Sequence, residues 1–231
     1  MSEEKRPFSE RRTEARSRVR ELHRQQTEDG KGLGFFDAVY KAAKGDAAAV
    51  PWADLEPHPG LAEWIGRSGN LYEGKALDVA CGLGDNAEAL SHLGYQVTAF
   101  DLSNTAVEWA KERFSETAVN YLQADLFNLP EEWAGAFDLV HETYTLQSLP
   151  AEIRANAMRI IANCVAPGSL LLVICRSKTE GVETDGPPWP LAKSELGLFT
   201  EIGLAEKNFQ EFVVREEREI PHFRIEFERS R

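Results

Sequence analysis

At 231 residues, 42% hydrophobic and 28% charged, the chain has the length and composition of one globular domain with room for an added arm. Its formal net charge of −12 argues against a phosphate-backbone partner, which favours a basic face, and points to a small-molecule substrate. No run approaches the roughly 18–20 apolar residues of a membrane span, and the polar start MSEEKRPFSERR lacks the apolar core of a secretory signal, so a cytoplasmic location is expected.

Residues 5–28 are rich in Arg, Glu and Gln with few apolar anchors, which reads as a solvated helical arm or lid. The glycines of DGKGLGFF, from Asp29, mark a turn, and FFDAVYKAAKG reads as a short helix ending near Gly45. We therefore expect an arm or lid over residues 1–45 and the main domain over 46–231. VPWADLEPHPG is a proline-rich connection before the helix LAEWIG.

From Lys75 the pattern changes. KALDVAC (75–81) is an almost continuously apolar run, as in a strand buried on both faces. GLGDNAEALSHLG supplies a turn and a helix capped by Asp85 or Asn86. YQVTAFD (95–101) is a second strand, followed by a helix opened by Ser103 or Asn104. VNYLQAD (119–125), FDLVHET (137–143) and SLLLVICR (169–176) are three more strands, the last preceded by a helix closing at Gly168. Such alternation implies right-handed crossovers and a doubly wound parallel sheet. TEGVETDGPPWPLAKSELGLF (179–199) holds a loop and a short helix. EKNFQEFVV and HFRIEFER then read as two strands with no helix between them, a terminal antiparallel hairpin at the sheet edge. Phe223, Ile225 and Phe227 alternate with charged residues, a pattern for one buried face.

In open sheets of this kind, ligands bind outside the carboxyl ends of the strands. Gly82 and Gly84 follow the first strand, where glycines let the backbone approach a ligand closely. With Ala87 they also satisfy the dinucleotide fingerprint, so the loop alone allows a nicotinamide oxidoreductase. Asp101 ends the second strand, seventeen residues after Gly84, where a carboxylate can accept from ribose hydroxyls. Asp125 stands after the third strand, within reach of an adenine amino group. Asp78 lies inside the first strand, a position usually apolar in dinucleotide folds, and suits the ammonium of a methionine moiety. Cys81, Cys164 and Cys175 are widely spaced and the five histidines form no ligand motif, so no metal site is expected.

LDVACGLG resembles motif I of the class I methyltransferases that use S-adenosylmethionine (SAM), and Asp101, Asp125 and FDLVHETYTLQSLP resemble the motifs that follow in that family. The resemblance covers roughly residues 75–230. It implies an α/β fold, a doubly wound, mostly parallel seven-stranded Rossmann-like sheet with a C-terminal antiparallel hairpin, and SAM as cofactor with S-adenosylhomocysteine as product. It implies that Ala80, Cys81, Gly82 and Gly84 border the methionine end, Asp101 and Leu102 the ribose, and Asp125 and Leu126 the adenine, with His141 also beside the cofactor. Ala80 departs from the family, which commonly has glycine there. VPWADLEPHPGL and DGPPWPLAKSEL are similar to segments of the thiopurine, thiol-halide and tellurite-resistance methyltransferases. That likeness places Trp52 over the cofactor, and Pro188 and Trp189 at the substrate pocket.

Neither a [DN]-P-P-[YFW] motif after the fourth strand nor a Pro-Cys pair is present, which leaves in-line methylation of a small molecule, at a thiol or other soft nucleophile, or at O or N. An alcohol or ammonium acceptor needs a base. His141 and Glu142, at the end of the fourth strand, are the candidates, and Tyr144 and Gln147 the candidate acceptor contacts. A non-catalytic SAM-binding protein is the alternative from another class.

Overall fold

Strands β1 (Lys75–Val79), β2 (Gln96–Asp101), β3 (Asn120–Gln123), β4 (Phe137–Thr143) and β5 (Val165–Arg176) pair in parallel. The hairpin β6 (Leu204–Arg215) and β7 (Glu219–Arg229) completes a seven-stranded sheet of order β3-β2-β1-β4-β5-β7-β6, with β7 antiparallel to β5. The computed structural model describes residues 7, 8, 10–16, 19, 33–68, 72–215 and 218–231. Most of the stretch read as an arm, and residues 29–32 of the expected turn, lie outside them; residues 10–16 are helical, and residues 34–36 of that turn already belong to a helix. Among the described residues no helix is long and apolar enough to cross a membrane.

The apolar runs arise because both sheet faces are covered. Along β5, Leu171, Val173 and Cys175 join a core on one face, while Leu172 and Ile174 join a second core on the other. Helix α5 (Ala151–Cys164) covers the first face through Ala157, Met158 and Ile161. Helices α2 (Pro59–Ser68), α3 (Asp85–His92) and α4 (Asn104–Arg113) cover the second through Leu61, Leu90 and Val107. Helix α1 (Gly34–Ala43) sets Tyr40 and Ala43 in a third cluster beside Leu83. Short helices α6 (Lys193–Leu196) and α7 (Leu198–Glu201) lead into the hairpin. The strand order turns back between β1 and β4, so the crevice at their carboxyl ends is the topological switch point.

Three local expectations change. Helix α5 ends at Cys164 rather than Gly168, because Pro167 biases Ala166 toward an extended backbone and β5 begins at Val165. Helix α3 is capped by neither Asp85 nor Asn86: Gly84 is its N-cap, Asp85 forms a two-pronged pair with Arg113 at 2.7 Å, and Asn86 accepts from the His58 N–H at 2.9 Å. Strand β7 is buried on both faces, because it lies between β5 and β6 and α2 covers its second side. There Arg224 donates to the Gly60 carbonyl at 2.7 Å and also pairs with Gln210.

Candidate active site

A cavity of 310 Å³ crosses the carboxyl ends of β1 to β5. It meets the loop after β1 at Ala80 to Gly82, the end of β2 at Asp101, and Asp125 beyond β3. On the other side of the switch point it meets Tyr144 beyond β4 and Arg176 at the end of β5. Its volume falls within the range of small-ligand sites.

The β1 loop folds back through two short ties. The Cys81 N–H donates to the Phe100 carbonyl at 2.8 Å, and the Gly84 N–H donates to Cys81 at 3.0 Å. Gly84 has φ +90°, and a Cβ there would overlap the Tyr121 hydroxyl, so this glycine is required by packing. Gly82, at φ +55°, lies where a Cβ would come within 3.0 Å of the Tyr40 hydroxyl. Ala80 also has a positive φ, +53°, which is the physical reason for glycine at the equivalent family position.

Asp101 organises the loop. Its carboxylate accepts the Gly82 N–H at 3.0 Å and the Ser103 N–H at 2.8 Å, while burial lifts its pKa to about 6. Each oxygen accepts one of these bonds, and a carboxylate oxygen has capacity for a second. Asp125 is exposed and accepts the Phe127 N–H at 2.9 Å beside buried Leu126. Trp52 donates to the Tyr40 hydroxyl at 2.7 Å, and both rings line the cavity opposite the glycine loop.

Trp52, Ala80, Cys81, Gly82, Asp101, Leu102, Asp125, Leu126, Tyr144 and Gln147 thus converge on one cavity, whereas Asp78, Gly84, His141, Glu142 and Trp189 do not reach its wall. His141 and Asp78 are register partners on β4 and β1, joined Nδ1 to Oδ1 at 2.6 Å, and His141 Nε2 meets the Thr143 hydroxyl at 2.8 Å. Both ring nitrogens are committed and the ring is fully buried, so the structure does not place His141 as a base. Glu142 is also fully buried, accepts the Leu146 N–H at 2.7 Å, and has its pKa raised by burial to about 8. Gln147 accepts the Arg176 N–H at 2.6 Å through its side chain and the Trp189 N–H at 2.7 Å through its carbonyl, tying three loops together. Pro187 and Pro188 reach the wall where Trp189 does not. Tyr40, His58 and Arg176 are wall residues that sequence reasoning missed. Arg176 ends a strand, the same signal that singled out Asp101.

This doubly wound sheet with its late hairpin and acid-lined crevice is the fold of the class I SAM-dependent methyltransferases. Residues 76–168 match the model of the family described as methyltransferase domain. The glycine loop's two readings separate here in favour of SAM. The chain is 27% identical over 166 residues to the 2-heptyl-1-hydroxyquinolin-4(1H)-one methyltransferase of Mycobacteroides abscessus, covering 70% of this chain and 72% of that one. It is 33% identical over 137 residues to the ubiquinone biosynthesis O-methyltransferase of Yersinia pestis, covering 54% of this chain and 56% of that one. A structure of the conversion of a disulfide bond into a thioacetal group during echinomycin biosynthesis superposes with TM-score 0.71 and 22% identity over 87% of this chain and 94% of that one. The magnesium protoporphyrin IX methyltransferase of Synechocystis with bound S-adenosylhomocysteine gives 0.60 and 19% over 74% and 80%. TehB from Haemophilus influenzae gives 0.62 and 18% over 81% and 67%.

Proposed function

We propose that the chain methylates a small-molecule acceptor, a thiol or another soft nucleophile, by in-line displacement within the cavity over β1 to β5. The observation that carries this reading is the division of that cavity. Its β1–β3 half presents Asp101, Asp125 and the glycine loop, and its β4–β5 half presents a separate polar wall.

The residues present fit SAM. Gly82 forms a cradle that a Cβ would fill against Tyr40, and the Asp78 Oδ2 atom is buried without a hydrogen-bond partner behind the loop. Ala80, Cys81 and Gly82 would border the methionine portion, Asp101 and Leu102 the ribose, and Asp125 and Leu126 the adenine, with Trp52 covering the site. When bound, SAM supplies a methyl group on an already activated sulfonium leaving group. The protein's part is to align the acceptor and keep water out. Tyr40 and Trp52 close one side of the cavity, and Arg16 and Val19 of the N-terminal stretch lie on its wall. Arg11 and Arg12 pair with Asp46 and Asp54, which favours a lid role for residues 1–45 over a domain at 46–231.

The test is a thermal-shift measurement followed by a coupled assay of S-adenosylhomocysteine release against thiols, chalcogen anions, phenols and amines. SAM or its product should raise the melting temperature, and Asp101→Ala should abolish that rise. Stabilisation by NADH alone would overturn the reading. A second reading, O-methylation, is favoured by the ubiquinone relative's name, and a preference for phenols in the same assay would select it.

A further inference from the structure

We propose that Asp78, His141 and Thr143 form a proton relay, in which the Thr143 hydroxyl takes the proton that a neutral acceptor must shed and passes its own to His141. The inference rests on the methyltransferase reading and adds the route by which that proton leaves.

The three groups run inward from the cavity. Thr143 is the last residue of β4, half-buried, and lies on the cavity wall. It stands one step beyond the Val79–Glu142 register pair, level with Ala80 at the start of the glycine loop, and its partner on β5 is Ile174. Thr143 is therefore at the switch point, between the two halves of the cavity. Alternate residues of a strand share a face, so its hydroxyl reaches back to His141 Nε2 at 2.8 Å. His141 is fully buried and meets Asp78 Oδ1 through Nδ1 at 2.6 Å. The Thr145 hydroxyl, donating to the Val79 carbonyl at 3.3 Å, ties down the turn that follows.

The chemistry of each group fixes the proton positions. A carboxylate only accepts, so Nδ1 carries the ring proton, and Nε2 of the neutral ring accepts from the Thr143 hydroxyl. The hydroxyl oxygen keeps lone-pair capacity for a donor arriving from the cavity. His141 touches no substrate itself, since both its nitrogens are engaged; the bond that occupies Nε2 is the path by which a proton reaches it. A carboxylate behind an imidazole holds its tautomer and stabilises the imidazolium that forms. Asp78 suits that task, because its Oδ2 is buried with no hydrogen-bond partner among the described residues, leaving its charge to be offset by the ring. His58 does not oppose the new charge: burial, with His222, His141 and Arg176 nearby, holds its pKa down to about 3, so it stays neutral. Glu142 cannot take this place, because strand alternation turns it to the other face of the sheet, where it accepts the Leu146 N–H.

In the transfer step the acceptor's S–H or O–H bond breaks, its proton moves to Thr143 Oγ1, and the proton already on Oγ1 moves to His141 Nε2. The electron pair left on the acceptor forms the bond to the methyl carbon, and the carbon–sulfur pair returns to the departing thioether. The sulfonium charge is lost and an imidazolium charge appears beside Asp78, so net charge is conserved. Once the product leaves, the two proton transfers run in reverse and deliver the proton to water. An acceptor that arrives ionised bypasses the relay.

The experiment uses the full chain with SAM and a series of phenols and thiophenols, some ionised and some neutral at the assay pH. Thr143→Val keeps the side-chain shape and removes the hydroxyl. It should lower kcat on the order of 100-fold with the neutral acceptors and about threefold or less with the ionised ones, with KM little changed. Thr143→Ser should recover most of the loss. Nitrogen-15 spectra of the unliganded chain should show His141 as the Nδ1–H tautomer, its resonance identified by its disappearance in His141→Gln. Equal losses across the series, no loss with the neutral acceptors, or the Nε2–H tautomer would overturn the relay while leaving the methylation reading intact. No product from the parent chain with any acceptor would sink that reading, and the relay with it.

Discussion

Glu142 is the residue whose titration the fold disturbs in the most measurable way. It is fully buried, one carboxyl oxygen accepts the Leu146 N–H at 2.7 Å, and Oε2 has no partner. Burial raises its pKa from 4.5 to about 8. The folded protein thus holds this proton more tightly than the unfolded chain does. This group's contribution to stability is fully present below pH 4.5 and is lost as pH rises toward 8, where the carboxyl must either ionise in the core or be released by unfolding. Three and a half pH units at about 1.36 kcal/mol each amount to about 5 kcal/mol. Glu142→Gln keeps the acceptor for Leu146 and removes the titration. Urea denaturation of both proteins from pH 5 to pH 9 isolates the effect, since every other titrating group, Asp101 included, is common to the two. The variant should be of similar or lower stability at pH 5, because its amide N–H groups gain no partner. Relative to the parent it should then gain about 4 kcal/mol between pH 5 and pH 9, since about 1 kcal/mol of the penalty is already present at pH 5. A stability difference that stays constant within about 1 kcal/mol over this range would refute the reasoning.

Asp101 titrates at about 6, so its carboxylate is lost as a full acceptor below that pH, and the SAM dissociation constant measured by calorimetry should rise about tenfold per pH unit on further acidification. Asp101→Asn should flatten that dependence. Gly84→Ala places a Cβ against the Tyr121 hydroxyl at a φ of +90°, and should cost about 2–4 kcal/mol in denaturant titrations. A loss under about 1 kcal/mol would mean that Tyr121 yields easily.

The strands were legible because the sheet is covered on both sides. β1, β4 and β5 read as apolar runs that no one-sided sheet would produce, and the absence of a helix between the last two strands predicts the antiparallel pair. What local pattern missed was set by contacts distant in sequence. Arg224 looked like a solvent-facing member of an alternating strand. It is buried because Gly60, more than 160 residues away, supplies a carbonyl acceptor at 2.7 Å. The capping expectation for α3 failed for the same kind of reason, with Asp85 drawn to Arg113 and Asn86 to His58.

The cavity shows where the rule of strand ends holds and where it is too coarse. Asp101 and Asp125 were found because a carboxylate at the end of a strand has little to pack against and faces the crevice. His141 and Glu142 lie one step too early: both are still in register with β1, opposite Asp78 and Val79, so their side chains point to the sheet faces. Only from Thr143 onward does the chain line the cavity, and Tyr144 there takes a φ of +70°. Applied one strand further, the same rule selects Arg176, a cation ending an otherwise apolar run. His58 is different in kind. It meets Tyr144 across 86 residues, and Tyr144 meets His222 across 78, so no window of sequence contains the three-membered chain. Cavity residues on consecutive β–α turns recur at regular intervals and can be read locally. The wall toward β4–β5 is assembled from the N-terminal segment and two strand ends, which is why its polarity emerged only from the folded chain.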